Sequence, residues 1–148
     1  MTSSETVSTL GDLPLFDATL IERLLPANEL WLIGWRCGRC HRLAFGVRAI
    51  CPVCGGREGH TTRLNRRTRL ETWTTVYTGE GDYTVAYCMA GDGEDDQEVR
   101  VFGPVAAGDE DELHAGQPMW IAFDHSLIGG RDCVHHVFHA HDGDRDRP

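Results

Sequence analysis

Residues 35–56 read WRCGRCHRLAFGVRAICPVCGG and contain four of the six cysteines of the 148-residue chain. They form two pairs with the spacing C-x2-C, Cys37 with Cys40 and Cys51 with Cys54. A two-residue gap lets both sulfurs of a pair face one ion from a tight turn, so the two turns predict a tetrahedral site with four thiolate ligands. Four thiolates leave no open position for a water molecule, which argues against zinc catalysis.

The residues around the cysteine pairs favour the same site. Gly55 follows the second pair and is able to take a positive φ there. His41 occupies the equivalent place after the first pair, and histidine tolerates that conformation better than most residues do. The insert between the pairs is long enough for a short strand over residues 42–47, which completes a zinc ribbon.

Three occupants of the four-cysteine set stay open at this point. Structural zinc is favoured on ligand type and compartment, and such a site contributes about 10–16 kcal/mol of apparent binding energy to a domain too small to fold unaided. Iron would make the chain an electron carrier, since four-sulfur sites suit both metals. Two disulfides would fit an oxidising compartment, but the N-terminus lacks the basic start and the apolar run of a secretory signal. We therefore expect a cytoplasmic protein that holds structural Zn²⁺.

Charge is divided unevenly along the chain. Residues 36–69 contain nine arginines and one acid, Glu58, whereas the rest contains five arginines and 22 acids. A chain this acidic is a poor general binder of nucleic acid, because phosphate contacts dominate that affinity. A local basic segment can still hold a small phosphorylated ligand or an acidic partner surface. A solvated arginine face is the alternative. No apolar run approaches the length that spans a bilayer.

Near the N-terminus, residues 17–25 read DATLIERLL and place four apolar side chains on one helical stripe. Asp17 can cap the start, and Pro26 stops the continuation. We predict a helix that is too short to persist alone in water, so it has to dock on its own domain or on another chain.

Strand patterns account for most of the remaining chain. Residues 29–37 alternate and predict a strand that runs into the first cysteine pair. A linker over residues 57–69 follows. Five further strands are predicted, over residues 70–78, 83–90, 98–105, 119–125 and 133–141. Their short lengths, with the longest connection between the third and fourth, favour a small barrel of the OB type, and a five-stranded sandwich is the alternative.

The chain therefore divides into five predicted segments. They are a flexible tail over residues 1–16, the helix within residues 17–30, the zinc ribbon over residues 31–62, the barrel over residues 63–141 and a disordered tail over residues 142–148. The predicted fold class is mainly β.

Together these parts resemble a family of small acyl-CoA-associated proteins with an N-terminal rubredoxin-like zinc ribbon and a C-terminal OB-fold. The resemblance runs from about residue 31 to about residue 139. It is carried by the two cysteine pairs, by the strand LETWTTVYT, by TVAYCMAGDGEDDQEVRVFGPV, and by LHAGQPMWIAFDH leading to VFHAH.

Members of this family generally act beside larger enzymes, notably thiolase-like proteins and sometimes hydratases of the hot-dog fold. The resemblance implies a non-catalytic subunit that bridges, stabilises or completes a CoA-thioester site used for acyl transfer, condensation or retro-aldol cleavage. CoA carries phosphates, and arginine forks suit phosphate oxygens. The candidates for binding CoA or an acidic subunit face are Arg63, Arg66, Arg67 and Arg69. The alternative function is a nucleic-acid-binding ribbon and barrel.

Other chemistry-bearing residues have plainer explanations. Cys88 and Cys133 fall in predicted strands and are expected to be buried and inert rather than nucleophiles. The late histidines read as the polar face of an edge strand, with a second metal site or proton transfer in a shared active site as alternatives; they are His125, His135, His136, His139 and His141. The acidic runs over residues 93–98 and 108–113 lack the ligand rhythm of a calcium loop and are expected to be solvated.

Overall fold

The computed structural model describes residues 10, 13–27 and 29–141 of the chain. Most of the predicted N-terminal tail and all of residues 142–148 lie outside the described residues. The described part forms nine strands and one short 3-10 turn, Glu110–Glu112. The strands are β1 (Ile21–Leu24), β2 (Glu29–Cys37), β3 (Leu43–Phe45), β4 (Gly59–Arg63), β5 (Arg67–Val76), β6 (Tyr83–Ala90), β7 (Val99–Pro104), β8 (Pro118–Ile128) and β9 (Arg131–His139). The predicted mainly-β class is confirmed.

Strand β2 organises the smaller of two sheets. It pairs antiparallel with β1, with β3 and with β4, and its last residue is the first cysteine of the first pair. The strand predicted over residues 29–37 and the short strand inside the insert are both present. This sheet therefore carries the first cysteine turn at one end of its longest strand.

The second sheet closes into a nearly complete barrel. Its five antiparallel strands lie in the order β7-β6-β5-β8-β9, and a parallel bridge between Val105 and Phe138 joins its two ends. Phe138, Leu70 and Met119 are fully buried inside it. Since all five strands belong to one sheet that bends back on itself, the sandwich alternative is wrong and the predicted barrel is confirmed.

The predicted helix over residues 17–25 is wrong. Asp17 does start a turn, because its side chain accepts the backbone N–H of Thr19 at 2.8 Å, but the chain then enters strand β1. β1 pairs with β2 and buries Ile21 in the barrel core. A helix this short has little stability of its own, so pairing with an available strand prevails over the helical spacing.

Two further segments differ from prediction. Residues 13–16, assigned to the flexible tail, lie against β9, where Val134 donates its N–H to Pro14 at 2.9 Å and accepts that of Phe16 at 2.8 Å. The assigned linker contains β4, which pairs with β2 over five residues. The boundaries at residues 31–62 and 63–141 stay predictions.

Candidate metal centre

The four cysteines of residues 37–54 meet at one point. Their Sγ atoms all lie within 4.8 Å of one another, with Cys37 3.6 Å from Cys54 and Cys40 3.6 Å from Cys51. A metal ion about 2.3 Å from each of four tetrahedral sulfurs would place the sulfurs about 3.8 Å apart. All four thiols are free. The donor set therefore fits a single ion, and it fits two disulfides, with S–S bonds of about 2.05 Å, poorly.

Each cysteine pair sits on a tight turn of the predicted kind. His41 donates its N–H to the carbonyl of Cys37, and Gly55 donates to Cys51, both at 3.0 Å. His41 has a φ of 65° and Gly55 a φ of 76°. The turns also point backbone N–H groups at sulfur, since Cys40 donates to Cys37 Sγ at 3.4 Å. The roles predicted for His41 and Gly55 are confirmed.

These N–H groups shape the acidity of the thiols. Hydrogen bonding from the backbone of Cys40 lowers the pKa of Cys37 to about 6, and bonding from the backbone of Cys54 lowers that of Cys51. The pKa of Cys40 is raised to about 11: the N–H of Arg42 favours its thiolate, but burial and the neighbouring thiols outweigh it. Cys37 and Cys51 are therefore more acidic than an ordinary cysteine, and a cation is what would stabilise all four thiolates.

The floor of the centre is a small separate core. Trp35 packs with Cys37 and Cys51 and is almost fully buried. The ring of Trp35 lies directly against the backbone of Gly59, where an added Cβ would be 2.2 Å from a ring carbon. Only glycine fits at this close approach, so the β2–β4 pairing and the packing under the cysteines depend on the same residue.

A buried arginine connects the cysteine region to the barrel. Arg36 is 4% exposed and binds Asp92 at 2.7 Å and Asp95 at 2.8 Å, with Glu94 3.3 Å from its Nε. Arg36 also donates to the carbonyl of His41 at 3.0 Å, in the first cysteine turn. The loop over residues 93–98 is largely exposed, as predicted, but opposite charge draws Glu94 and Asp95 onto Arg36.

Gln97 completes this junction from the same loop. Its side chain accepts the N–H of Leu43 at 3.1 Å and donates to the carbonyl of His41 at 2.8 Å. The hydrogen bond from Arg36 is the main cause that lowers the pKa of Asp95. Burial alone would raise the pKa of Asp92, but Arg36 outweighs it and the net shift is downward. Both carboxylates therefore stay charged, and the first cysteine turn is held by the barrel.

The four arginines chosen from the sequence have different surroundings. Arg63 pairs with Glu22 at 3.1 Å, and Arg69 pairs with Glu98 at 2.6 Å. Arg66 donates to the carbonyl of Leu30 at 2.6 Å and stacks on Trp31, 4.3 Å from the ring centroid. Arg67 is exposed and makes no ion pair with any residue in the described ranges. Of the four, Arg67 alone presents a guanidinium that the described chain does not use.

A half-open cavity of about 460 Å³ lies beside this group of arginines. It is lined by Glu22, Ile33, Thr61, Thr62, Arg63 and Asp92. Its two carboxylates would repel a phosphate, and its arginine is already paired. The cavity is therefore a poor place for the phosphates of CoA.

Sequence reasoning missed a second set of arginines. Within the ribbon, four exposed arginines make no ion pair with the residues that the structure describes; they are Arg39, Arg42, Arg48 and Arg57. The only sequence signal for them was the scarcity of acids between residues 36 and 69, which does not tell a used arginine from an unused one.

The remaining candidates are placed as follows. Cys88 is buried and burial raises the pKa of its thiol to about 12, and Cys133 is also buried, which agrees with inert cysteines. His136 is not on an outer face: it is buried, lies 2.6 Å from the carbonyl oxygen of Phe102, and burial lowers its pKa. Apart from the four cysteines, no cluster of three metal-ligating side chains occurs among the described residues.

The other late histidines have local partners. His125 lies 2.9 Å from Asp132, and His141 lies 2.8 Å from Glu112. His135 lies 2.9 Å from the hydroxyl of Ser126. They are polar groups of the β8–β9 hairpin and its surroundings.

Comparison with known proteins gives two similarities. The chain is 28% identical over 112 residues to the benzoylsuccinyl-CoA thiolase subunit BbsA of Thauera aromatica. The aligned region covers 71% of this chain and 77% of the relative. The resemblance to thiolase-associated proteins is confirmed. The structure also superimposes on a chain of the Ltp2-ChsH2(DUF35) aldolase with a TM-score of 0.57 and 18% identity, over 74% of this chain and 84% of that one. This second similarity establishes a shared fold.

No family model matches the chain. Within the described residues, no helix has both the length and the apolar character that crossing a bilayer requires.

Proposed function

We propose that the chain is a non-catalytic, zinc-binding accessory subunit of a thiolase-like acyl-CoA enzyme, and that it acts in the cytoplasm. In this role it bridges, stabilises or completes the CoA-thioester site of its partner. The observation that carries the proposal is the similarity, over most of both chains, to a subunit of a CoA thiolase. The barrel supports a non-catalytic role, because its two cysteines are buried and the high thiol pKa of Cys88 makes that residue a poor nucleophile.

Zinc is the ion that we assign to the four cysteines. Cys37, Cys40, Cys51 and Cys54 would hold it, and a closed four-thiolate shell supplies stability to the ribbon rather than a reacting water. Metal analysis of the purified protein tests this assignment. We expect one zinc per chain and a colourless solution, whereas iron in the site would colour the protein red and make electron transfer the better function.

We further propose that the arginines where ribbon and barrel meet favour the phosphates of an acyl-CoA. Arg63, Arg66 and Arg69 are held by Glu22, Trp31 and Glu98, so they contribute mainly to the local field. Arg67 carries the unused guanidinium and is the sharpest probe. Arg67→Glu should weaken CoA binding to the assembled enzyme about tenfold at low salt, without loss of stability. Arg131→Glu, an exposed change on the β8–β9 hairpin, is the control.

The experiment that tests the function combines capture and activity. A tagged chain purified from its source cells should bring with it a thiolase-fold protein, identified by mass spectrometry, and a hot-dog-fold hydratase is a second expected partner. Cleavage or condensation of acyl-CoA should require the partner and increase when this chain is added. Turnover of a thioester by this chain alone would contradict the proposal.

Nucleic-acid binding is a second candidate, and one feature favours it. Tyr87 and Phe102 are exposed on the outer face of β6 and β7, with ring centroids 5.3 Å apart, and Arg100 lies 5.4 Å above Tyr87. Stacking platforms of this kind bind single strands. Arg100 is already paired with Glu71 at 2.6 Å, however, so we expect no shift of a labelled oligonucleotide at moderate salt.

A further inference from the structure

The tip of the ribbon exposes apolar side chains. In the segment between β3 and β4, Val47 is 47% exposed, Ile50 50% and Val53 63%. Single exposed apolar residues are common on soluble proteins, but Ile50 and Val53 lie on either side of Cys51 and form a local pair. Val47 is held elsewhere, because its N–H bonds to the carbonyl of Thr19 at 2.8 Å. The second cysteine turn lies in the same segment, and the backbone N–H of Val53 bonds to Cys51 Sγ at 3.4 Å. Val53 is therefore mounted on a braced turn, and Ile50 directly precedes that turn.

Arginines border this apolar pair. Arg48 lies between Val47 and Ile50, and Arg57 follows the second cysteine turn. Arg39 packs beside that turn, since an added Cβ on Gly56 would be 3.3 Å from Arg39 Cβ. All three arginines are exposed and make no ion pair with the described part of the chain. By contrast, Arg36, three residues before Arg39, is buried against carboxylates.

We propose that this ribbon tip, made of Ile50 and Val53 with Arg39, Arg48 and Arg57, is the surface that docks on the partner enzyme subunit. The partner surface that fits it is an apolar patch edged by carboxylates. The inference rests on the proposed function, which supplies the partner. It adds which face of this chain contacts that partner. Apolar centres with arginine forks are typical of protein interfaces, because arginine pairs with carboxylates through two parallel hydrogen bonds.

Charge selects this occupant over a second copy of the chain. A two-fold pairing of tips would bring like-charged arginines together, which is unfavourable. Docking of a tip on the acidic barrel of another copy would be head-to-tail and would not close into a defined dimer. A free phosphorylated ligand would use the arginines but would leave the aliphatic side chains exposed. A partner with both apolar and acidic character uses every feature of the tip.

The test measures binding of zinc-loaded tip variants to the thiolase-fold subunit captured by the wild-type chain. Ile50→Ser, Val53→Ser and Arg48→Glu should each raise the dissociation constant about tenfold or more. The matched controls are Leu127→Ser and Arg131→Glu on the β8–β9 hairpin, where Leu127 is 76% exposed; they should change it less than about twofold. Zinc content and melting temperature confirm that each variant is folded. Two serine variants are included so that the test still stands if one of them does not fold.

The outcomes separate this inference from the proposed function. If the wild type captures a thiolase-fold subunit and folded tip variants bind it as tightly, the docking face is wrong and the function stands. If the wild type captures none, both are wrong. A self-associated chain that Arg48→Glu converts to monomer would overturn the inference in favour of a second copy. The inference is supported if only the tip variants bind the partner more weakly than the wild type does. Arg48→Glu should then also reduce the salt dependence of binding.

Discussion

At the scale of single residues, His41 holds a conformation that usually belongs to glycine. Its φ of 65° matches the 76° of Gly55 in the other cysteine turn, and its side chain is exposed. An L-residue in this left-handed region costs about 1 kcal/mol relative to glycine. The turn keeps the residue there because its N–H bonds to the carbonyl of Cys37.

We expect His41→Gly to leave the free energy of unfolding unchanged or to raise it by up to about 1 kcal/mol. His41→Val should lower it by about 1–2 kcal/mol, because a β-branched side chain fits this region poorly. Urea unfolding of the zinc-loaded protein measures both. Gly55→Ala is the control. Nothing lies within 4 Å of an added Cβ at Gly55, so this change alters only the φ preference of the residue. A valine variant as stable as the wild type would contradict the explanation.

Arg36 and Asp92 form the second residue-scale feature. Both side chains are at most 5% exposed, so each depends on the other for compensation of its charge. Arg36→Met should destabilise the protein by about 3–5 kcal/mol, because it leaves a buried carboxylate unpaired. Adding Asp92→Asn in the same chain should restore part of that loss.

Arg100→Met is the matched control for this prediction. It breaks an ion pair with Glu71 of similar length, 2.6 Å, but the arginine side chain is 58% exposed. Exposed pairs contribute at most about 1 kcal/mol. If chemical denaturation gives Arg36→Met and Arg100→Met equal losses in the free energy of unfolding, Arg36 does not anchor the ribbon to the barrel.

At the scale of the elements, β4 depends on one close approach. Gly59 is its first residue and touches the ring of Trp35. We expect Gly59→Ala to cost about 1–3 kcal/mol by overpacking and to weaken metal binding, because Trp35 supports Cys37 and Cys51. Gly79→Ala, where an added Cβ meets nothing, is the control. Competition with a zinc chelator measures the affinity, and equal affinities would count against the packing argument.

The elements also show which parts a sequence pattern specifies. The strands over residues 83–90 and 29–37 were predicted to the residue. Burial alternates along the first strand, which is a local property of its sequence, whereas the second strand is buried over most of its length. The strand β1 was predicted as a helix, since its apolar spacing follows the helical period and only the presence of β2 decides against it. The cysteine site was predictable because two C-x2-C turns carry their own geometry. The Arg36–Asp92 junction was not, since its partners are 56 residues apart in the chain.

At the scale of the whole molecule, acid should weaken the fold in two stages. Burial holds the pKa of His136 below its ordinary 6.5, so the unfolded chain binds this proton more readily than the folded one. Its stabilising contribution is present above about pH 6.5 and is lost as the pH falls. Asp92 and Asp95, whose pKa values Arg36 holds below 3.8, contribute above that value and lose their contribution below it.

The melting temperature should therefore decrease between pH 7 and pH 5 and again below about pH 4. His136→Gln keeps a donor for the carbonyl of Phe102 and has no charge to gain, so it should flatten the first stage and leave the second unchanged. Thermal unfolding of the barrel, followed by near-ultraviolet circular dichroism, measures the two stages. A first stage of equal size in the variant would show that His136 is not its source.

The division of charge also has meaning only for the molecule as a whole. The sequence shows a basic stretch within an acidic chain, but the fold decides that Arg36, Arg63 and Arg69 are used internally. The exposed arginines that make no ion pair with the described residues lie mostly on the ribbon. A ribbon with a four-cysteine site, next to a barrel whose two cysteines are buried, fits the accessory role that we propose.

Native mass spectrometry of the tagged chain, purified from its source cells under gentle conditions, tests this account most directly. The mass before and after denaturation reports both the bound metal and the partner. We predict a complex that contains a thiolase-fold subunit and one zinc ion for each copy of this chain. A chain that is recovered alone and metal-free, with its ribbon still folded, would contradict the account.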